Sequence, residues 1–112
     1  MSKFSELTCE ACKAGAPPAT DEELLEFMGN HPNWRRIETN DVQKLVRAYS
    51  FSNFIDALAF TNKVGVLAEQ EGHHPALLTE WGRVTVSWWT HKIGGLHRND
   101  LIMSARTDDL YV

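Results

Sequence analysis

The sequence lacks a long apolar run. No stretch approaches the ~20 apolar residues of a membrane-spanning helix, and the N-terminus has no signal-peptide core. Basic residues are also scarce, since 11 Lys and Arg stand against 15 Asp and Glu, for a net charge of −4. This balance argues against direct nucleic-acid binding and against a polybasic membrane anchor. We therefore expect a soluble, cytoplasmic protein without a membrane partner.

Cysteine is limited to one pair, Cys9 and Cys12, with Cys-x-x-Cys spacing. A structural zinc site needs a second ligand pair at matching spacing, and none follows. A thioredoxin-like motif should lie between a strand and a helix, whereas this pair precedes Pro17-Pro18. We expect residues 1–19 to form a loosely ordered arm with structural or incidental thiols. Metal capture and intermolecular oxidation stay open as alternatives.

The length of 112 residues and the 43% hydrophobic fraction are typical of one globular domain, which we place at residues 20–112. Thr20 and Glu23 have the spacing of a capping box, which predicts a short helix that ends at residues 29–32. Two strand-like segments, 34–38 and 42–51, follow and are separated by turn-forming residues. They predict a first hairpin.

The longest helix is predicted at residues 53–71, with Asn53 and Asp56 at its start and apolar residues at helical spacing. Gly65 within this helix predicts close packing against a neighbouring element, because glycine costs a helix about 1 kcal/mol relative to alanine. Residues 77–81 and 83–90 flank Gly82 and predict a second hairpin. A last helix should begin near residues 97–99.

The predicted element order is α-β-β-α-β-β-α, with hairpins where a parallel sheet would need crossover connections. This order predicts an α+β fold in which the helices pack on one face of a four-stranded antiparallel sheet. The exposed edges of such a small sheet favour pairing between subunits, so we expect a homodimer or homotetramer.

The histidines are the candidate catalytic residues, because the unperturbed pKa of imidazole, about 6.5, lies in the pH range in which enzymes work. His73 and His74 follow the long helix and precede Pro75. Taken alone, this triplet is more simply a polar loop. His91 falls at the end of the last predicted strand, on its more polar face. Asp100 falls in the first turn of the last helix, where stabilising the helix start would explain it.

Taken together, Glu69-x3-His73-His74-Pro75, Trp81, His91 and Asp100 form one spaced pattern. It resembles the signature of the pterin-4a-carbinolamine dehydratases, which in animals also act as dimerisation cofactors of a homeodomain transcription factor. The resemblance covers roughly residues 20–108. The Cys-x-x-Cys arm lies outside it and resembles that of bacterial members that serve phenylalanine hydroxylase.

The resemblance implies dehydration of 4a-hydroxytetrahydropterin to quinonoid dihydropterin without a metal or other cofactor. This reaction would recycle the pterin of an aromatic amino acid hydroxylase, which is a possible partner. By motif position, the three catalytic histidines would be His73, His74 and His91. The substrate-binding residues would be these histidines together with Glu69, Pro75, Thr90, Lys92 and Asp100.

The residue chemistry agrees with this hypothesis. Eliminating water from a carbinolamine needs one proton delivered to the departing hydroxyl and another removed from a ring nitrogen, and imidazoles can do both. No serine or cysteine has the context of an activated nucleophile. We predict that His73 and His91 transfer the protons, in either order, and that His74 orients the pterin. Two alternatives are a metal site formed by the three histidines and a non-catalytic module that partners a hydroxylase or a transcription regulator.

Overall fold

The computed structural model describes residue 4 and residues 18–111. Its helices and strands follow the predicted order and confirm the α+β class. They are helix α1 (Asp21–Asn30), strands β1 (Arg35–Thr39) and β2 (Val42–Ser50), helix α2 (Phe54–Glu71), strands β3 (Ala76–Glu80) and β4 (Arg83–Trp88), a short 3-10 helix (His91–Ile93) and helix α3 (Arg98–Leu110). Among the described residues, no helix has both the length and the apolar character needed to cross a membrane.

The first two helices begin with the caps that the sequence predicts. The Thr20 hydroxyl accepts from the Glu23 N–H at 3.1 Å, and the Glu23 carboxylate accepts from the Thr20 N–H at 2.9 Å. The Asn53 side chain accepts from the Asp56 N–H at 2.8 Å. Helix α2 ends at Gly72, whose φ of 67° is left-handed, a conformation that glycine adopts without steric cost. This turn leads directly into the histidine pair.

The prediction that Gly65 packs closely against a neighbouring element is wrong. A Cβ placed on Gly65 would meet no heavy atom within 4 Å. Helix α2 packs instead through its buried stripe, which includes Val64, Leu67 and Ala68. Gly65 lies beside that stripe and only partly buried, and nothing in the structure explains the glycine.

The sheet joins the two predicted hairpins through their inner strands. The strand order is β1-β2-β4-β3, and every neighbouring pair is antiparallel. In the central pair, Leu45 lies opposite Trp88 and Tyr49 lies opposite Val84. These four residues are buried on the face that carries the helices. Because side chains alternate along a strand, Trp89 falls on the opposite face.

Strand β4 ends two residues earlier than the sequence predicted. Thr90 forms only an isolated bridge with Gly95, in which the Thr90 N–H donates to the Gly95 carbonyl at 2.8 Å. His91 then begins the 3-10 helix, which Gly94 closes with a φ of 61°. The bridge draws the chain away from the sheet, so His91 lies on a turn and not on a strand.

The core lies between the helices and the sheet, and it includes Phe4 of the predicted N-terminal arm. Phe4 is buried and packs edge-to-face on Phe27 of α1, with ring centroids 6.1 Å apart. The rest of that arm up to residue 17, including Cys9 and Cys12, lies outside the described residues.

We expect the protein to form a homodimer or homotetramer. Strands β1 and β3 are the edges of the sheet, and large apolar side chains are exposed on α2, on β3 and at the turn after β3. These include Ile55, Val66, Leu78 and Trp81. Sedimentation equilibrium at micromolar concentration should show a mass at least twice the 12.7 kDa of one chain. A single species of one-chain mass would contradict this expectation.

Candidate active site

The end of α2 and the end of β4 meet at a cleft of about 370 Å³. The cleft is lined by Gly72, His73, His74, Thr90, His91 and Lys92. The fold therefore brings together all three histidines of the predicted site, although 16 residues lie between His74 and His91 in the sequence. Glu69, Pro75 and Asp100 are not part of this lining. Glu69 and Asp100 contact it through histidines, and Pro75 links His74 to the start of β3.

His73 is the buried histidine of the cleft, and it is held by a carboxylate. Its side chain is 8% exposed, and its Nε2 lies 2.7 Å from Oδ1 of the fully buried Asp100. The other Asp100 oxygen accepts from the Thr90 hydroxyl at 2.7 Å and from the His97 N–H at 2.9 Å. A carboxylate can remain in the interior when its oxygens are satisfied in this way. Asp100 thus connects the ends of α2 and β4 to the start of α3.

A tryptophan fixes the plane of the same imidazole. Trp88 is stacked on His73, with ring centroids 5.6 Å apart and an interplanar angle of 16°. The Trp88 indole N–H donates to the Thr107 hydroxyl at 3.1 Å, and that hydroxyl donates to the Met103 carbonyl at 2.6 Å. Stacking restricts tilting of the His73 ring, while Asp100 holds one of its edges. A group held in this way loses little orientational freedom when it transfers a proton.

Asp100 also serves the helix-start role that the sequence favoured. It occupies the third helical position of α3 and completes a capping box with His97, whose Nδ1 accepts from the Asn99 N–H at 3.0 Å. Sequence reasoning assigned His97 no role, because histidine is not a common capping residue. The one local signal was the carboxylate three residues later.

His74 lies in a different environment although it is the next residue. Its side chain is 61% exposed, and its Nε2 lies 2.7 Å from Oε1 of Glu69, which is itself 82% exposed. Ion pairs between groups so open to water contribute little stability. His74 therefore faces solvent at the mouth of the cleft, where it can meet a ligand without first breaking buried contacts.

The described part of the chain gathers no set of metal ligands around the cleft histidines. Across residue 4 and residues 18–111, no three His, Cys, Asp or Glu side chains are grouped so that they could hold a metal ion. The carboxylate contacts of His73 and His74 are separate, since Asp100 binds His73 and Glu69 binds His74. The three-histidine ligand set, left open by the sequence, is not assembled in this geometry.

Comparison with known proteins identifies the family. The family model for pterin 4 alpha carbinolamine dehydratase matches residues 17–110, nearly the whole described chain. The chain belongs to this family. As a member it is a hydro-lyase, an enzyme class that eliminates water. It is 60% identical over 110 residues to a protein of Syntrophotalea carbinolica named after the family, and the match covers 98% of each chain. A Marinobacter nauticus protein of the same name is 55% identical over 111 residues, covering 99% of this chain and 100% of the other.

Two solved structures share the dehydratase fold. A transcriptional coactivator/pterin dehydratase from Brucella melitensis matches with a TM-score of 0.75 at 23% identity, covering 86% of this chain and 100% of the other. A pterin dehydratase-like protein, described as a RuBisCO assembly factor in the alpha-carboxysome, matches with a TM-score of 0.59 at 21% identity. That match covers 70% of this chain and 89% of the other. At these identities, the likeness concerns the fold alone.

Proposed function

We propose that this dehydratase converts a 4a-hydroxytetrahydropterin to the quinonoid dihydropterin by histidine acid/base catalysis in the cleft. The observation that carries the proposal is the buried His73–Asp100 pair, whose histidine lines the same cleft as His91. Family membership supplies the substrate class, and the paired imidazoles supply groups suited to moving protons near neutral pH.

The reaction needs two proton transfers and no change in oxidation state. The bond between the pterin ring carbon and its hydroxyl breaks, and the hydroxyl leaves as water after it accepts a proton. A ring nitrogen loses its own proton, and the electron pair of that N–H bond forms the new carbon–nitrogen double bond. The enzyme donates one proton and accepts one, so it returns to its starting protonation after the two histidines re-equilibrate with solvent.

We assign the two transfers to His73 and His91, which reach the cleft from different elements. His73 follows α2, whereas His91 follows β4. Two groups on separate elements can face different parts of a bicyclic substrate, as an acid and a base must. His74 and Glu69 lie at the exposed side of the cleft and would orient the pterin. Either His73 or His91 can be the acid.

The other candidate residues have more limited proposed roles. The Thr90 hydroxyl donates to Asp100, so Thr90 supports the His73 pair. Lys92 lines the cleft beside His91 and can meet an electron-rich edge of the pterin. Pro75 restricts the backbone after the histidine pair, because its ring sets φ near −65°. None of these residues needs to transfer a proton.

The cellular role that fits this reaction is recycling the pterin cofactor of an aromatic amino acid hydroxylase in the cytoplasm. A scaffolding role is the competing function, because one protein of this fold is described as an assembly factor. Scaffolding alone would not require a buried histidine–carboxylate pair that opens onto a cleft. The pair therefore favours catalysis for this chain.

Purified protein should accelerate the loss of a synthetic 4a-hydroxytetrahydropterin in proportion to enzyme concentration. The spontaneous dehydration rate must be subtracted, and stopped-flow absorbance separates the two. Protein treated with a chelator should remain active, since the proposed chemistry needs no metal. The matched control is the double variant His73→Ala/His91→Ala, checked for folding by circular dichroism, which should give only the spontaneous rate. Absence of acceleration by the parent protein would refute the proposal, and loss of activity with the chelator would favour the metal alternative.

A further inference from the structure

Two consecutive tryptophans each contact one of the two histidines assigned to proton transfer. Trp88 is the last residue of β4 and Trp89 follows it directly, so side-chain alternation sends them to opposite faces of the sheet. Trp88 stacks on His73 from the core side. Trp89 lies against His91, with ring centroids 4.6 Å apart and an interplanar angle of 43°. The chain thus places one indole beside each imidazole.

His91 depends on its tryptophan more than His73 does. His73 is buried and is held by both Asp100 and Trp88. His91 is exposed at the start of the 3-10 helix, and no side-chain hydrogen bond holds its ring among the described residues. Contact with Trp89 is therefore the interaction that restricts its orientation.

Trp89 is itself held from the neighbouring strand. The register of β2 and β4 pairs Leu45 with Trp88, which places Lys44 beside Trp89 on the same face. The Lys44 ammonium lies 4.3 Å from the centroid of the Trp89 ring. A cation over the face of an indole is attracted by the negative face of the ring. Lys44, Trp89 and His91 thus form a continuous row that ends in the cleft.

We propose that Trp89 is a positioning residue, which sets the orientation of the His91 imidazole in the cleft and is supported by Lys44. This inference rests on the proposed function, because His91 must transfer a proton for its orientation to matter. Proton transfer needs the two heavy atoms within about 2.6–3.2 Å. An imidazole that rotates freely would spend less time in that geometry, while the affinity for pterin would change little.

Substitution of Trp89 should separate kcat from KM. Trp89→Leu removes the aromatic face, and we expect kcat to fall about tenfold while KM stays within about twofold, since a small misplacement of a reacting group is costly. Trp89→Phe keeps a flat ring against His91 and should recover most of the loss. Lys44→Met should give a smaller decrease in kcat, and Lys63→Met on the exposed side of α2 is its matched control, with no change expected.

A spectroscopic readout tests the contact itself. The indole ring current should displace the proton signals of the His91 imidazole in NMR spectra, and the signals can be assigned by their loss in His91→Gln. Trp89→Leu should move them to positions typical of an exposed histidine, whereas Trp89→Phe should retain part of the displacement.

The outcomes distinguish the positioning role from the proposed function. If the parent is active and Trp89→Leu keeps its kcat within twofold, the positioning role is wrong and the dehydratase function stands. Trp89 has only a structural role if three results occur together. These are a loss of kcat in Trp89→Leu, no recovery of kcat in Trp89→Phe, and an altered circular dichroism spectrum in the variants. If the parent itself does not accelerate dehydration, the proposed function fails and the positioning role fails with it, even where the ring-current displacement is present.

Discussion

His73→Ala is expected to lower kcat by about 10²–10⁴-fold, the usual contribution of one general acid or base. The imidazole is held on one edge by Asp100 and on one face by Trp88, so its removal deletes an oriented group, while Asp100 still accepts from Thr90 and His97. KM should change little, because the lost interaction develops in the transition state. His91→Ala should act in the same direction.

His74→Ala is the matched control for His73→Ala, because the two histidines are adjacent in sequence and differ in environment. His74 is exposed and paired only with an exposed Glu69, so its loss should raise KM substantially with a smaller decrease in kcat. Steady-state kinetics on His73→Ala, His74→Ala and His91→Ala measures these changes in kcat and KM. The rates are corrected for spontaneous dehydration, and the folding of each variant is checked by circular dichroism. If all three variants keep near-parental kcat/KM, the histidines do not carry out the proposed reaction. If only His74→Ala loses kcat, the proposed dehydration by histidines still stands, but the roles assigned to the individual histidines are wrong.

A second large effect is expected far from the cleft, where Asp108 near the end of α3 accepts from four side chains. Arg47 donates to the Asp108 Oδ1 at 2.7 Å, and the Trp34 indole N–H donates to the same oxygen at 3.0 Å. The His31 Nδ1 lies 2.5 Å from the other oxygen, Oδ2. The Tyr49 hydroxyl also donates to Oδ1. Burial first, and then the nearby Asp108 carboxylate, raise the pKa of Tyr49 above its usual value, so this hydroxyl keeps its proton.

Asp108→Ala is expected to lower the free energy of unfolding by about 3–5 kcal/mol, the range for removing one partner of a buried ion pair. The substitution leaves the Arg47 charge, which is 16% exposed in its side chain, without its carboxylate. It also leaves the Trp34 N–H and the Tyr49 hydroxyl without an acceptor in the interior.

Urea denaturation followed by circular dichroism measures this loss. Protein concentration must be held constant, because oligomers gain stability with concentration. Asp109→Ala is the matched control, since Asp109 is the next residue and is exposed, and its effect should stay within about 0.5 kcal/mol. A loss below about 1 kcal/mol in Asp108→Ala would show that solvent already satisfies the cluster.

The sequence by itself determined the element order and the helix starts. Thr20 with Glu23 and Asn53 with Asp56 are contacts over three residues, so their geometry is a local property of the chain. The alternation of Val84, Val86 and Trp88 likewise predicted the buried face of β4, because the period of a strand is two residues. The spaced histidine pattern also pointed to the family that the comparisons establish.

Local pattern was insufficient wherever a contact depends on distant packing. Strand β4 ends at Trp88 because Thr90 bridges to Gly95, and nothing in the alternation of Trp89, Thr90 and His91 indicates that bridge. The prediction of close packing at Gly65 failed for the converse reason, since a glycine in a sequence cannot reveal whether a neighbour approaches it.

Tertiary structure alone decided how the candidate site is built. His73 and His74 have identical side chains and adjacent positions, yet only His73 is buried, because Asp100, 27 residues away, and Trp88 meet it from α3 and β4. His31 follows α1 directly, and its partner Asp108 is 77 residues away. Burial and hydrogen bonding over such separations depend on how helices pack on the sheet, so they become visible only when the elements are assembled.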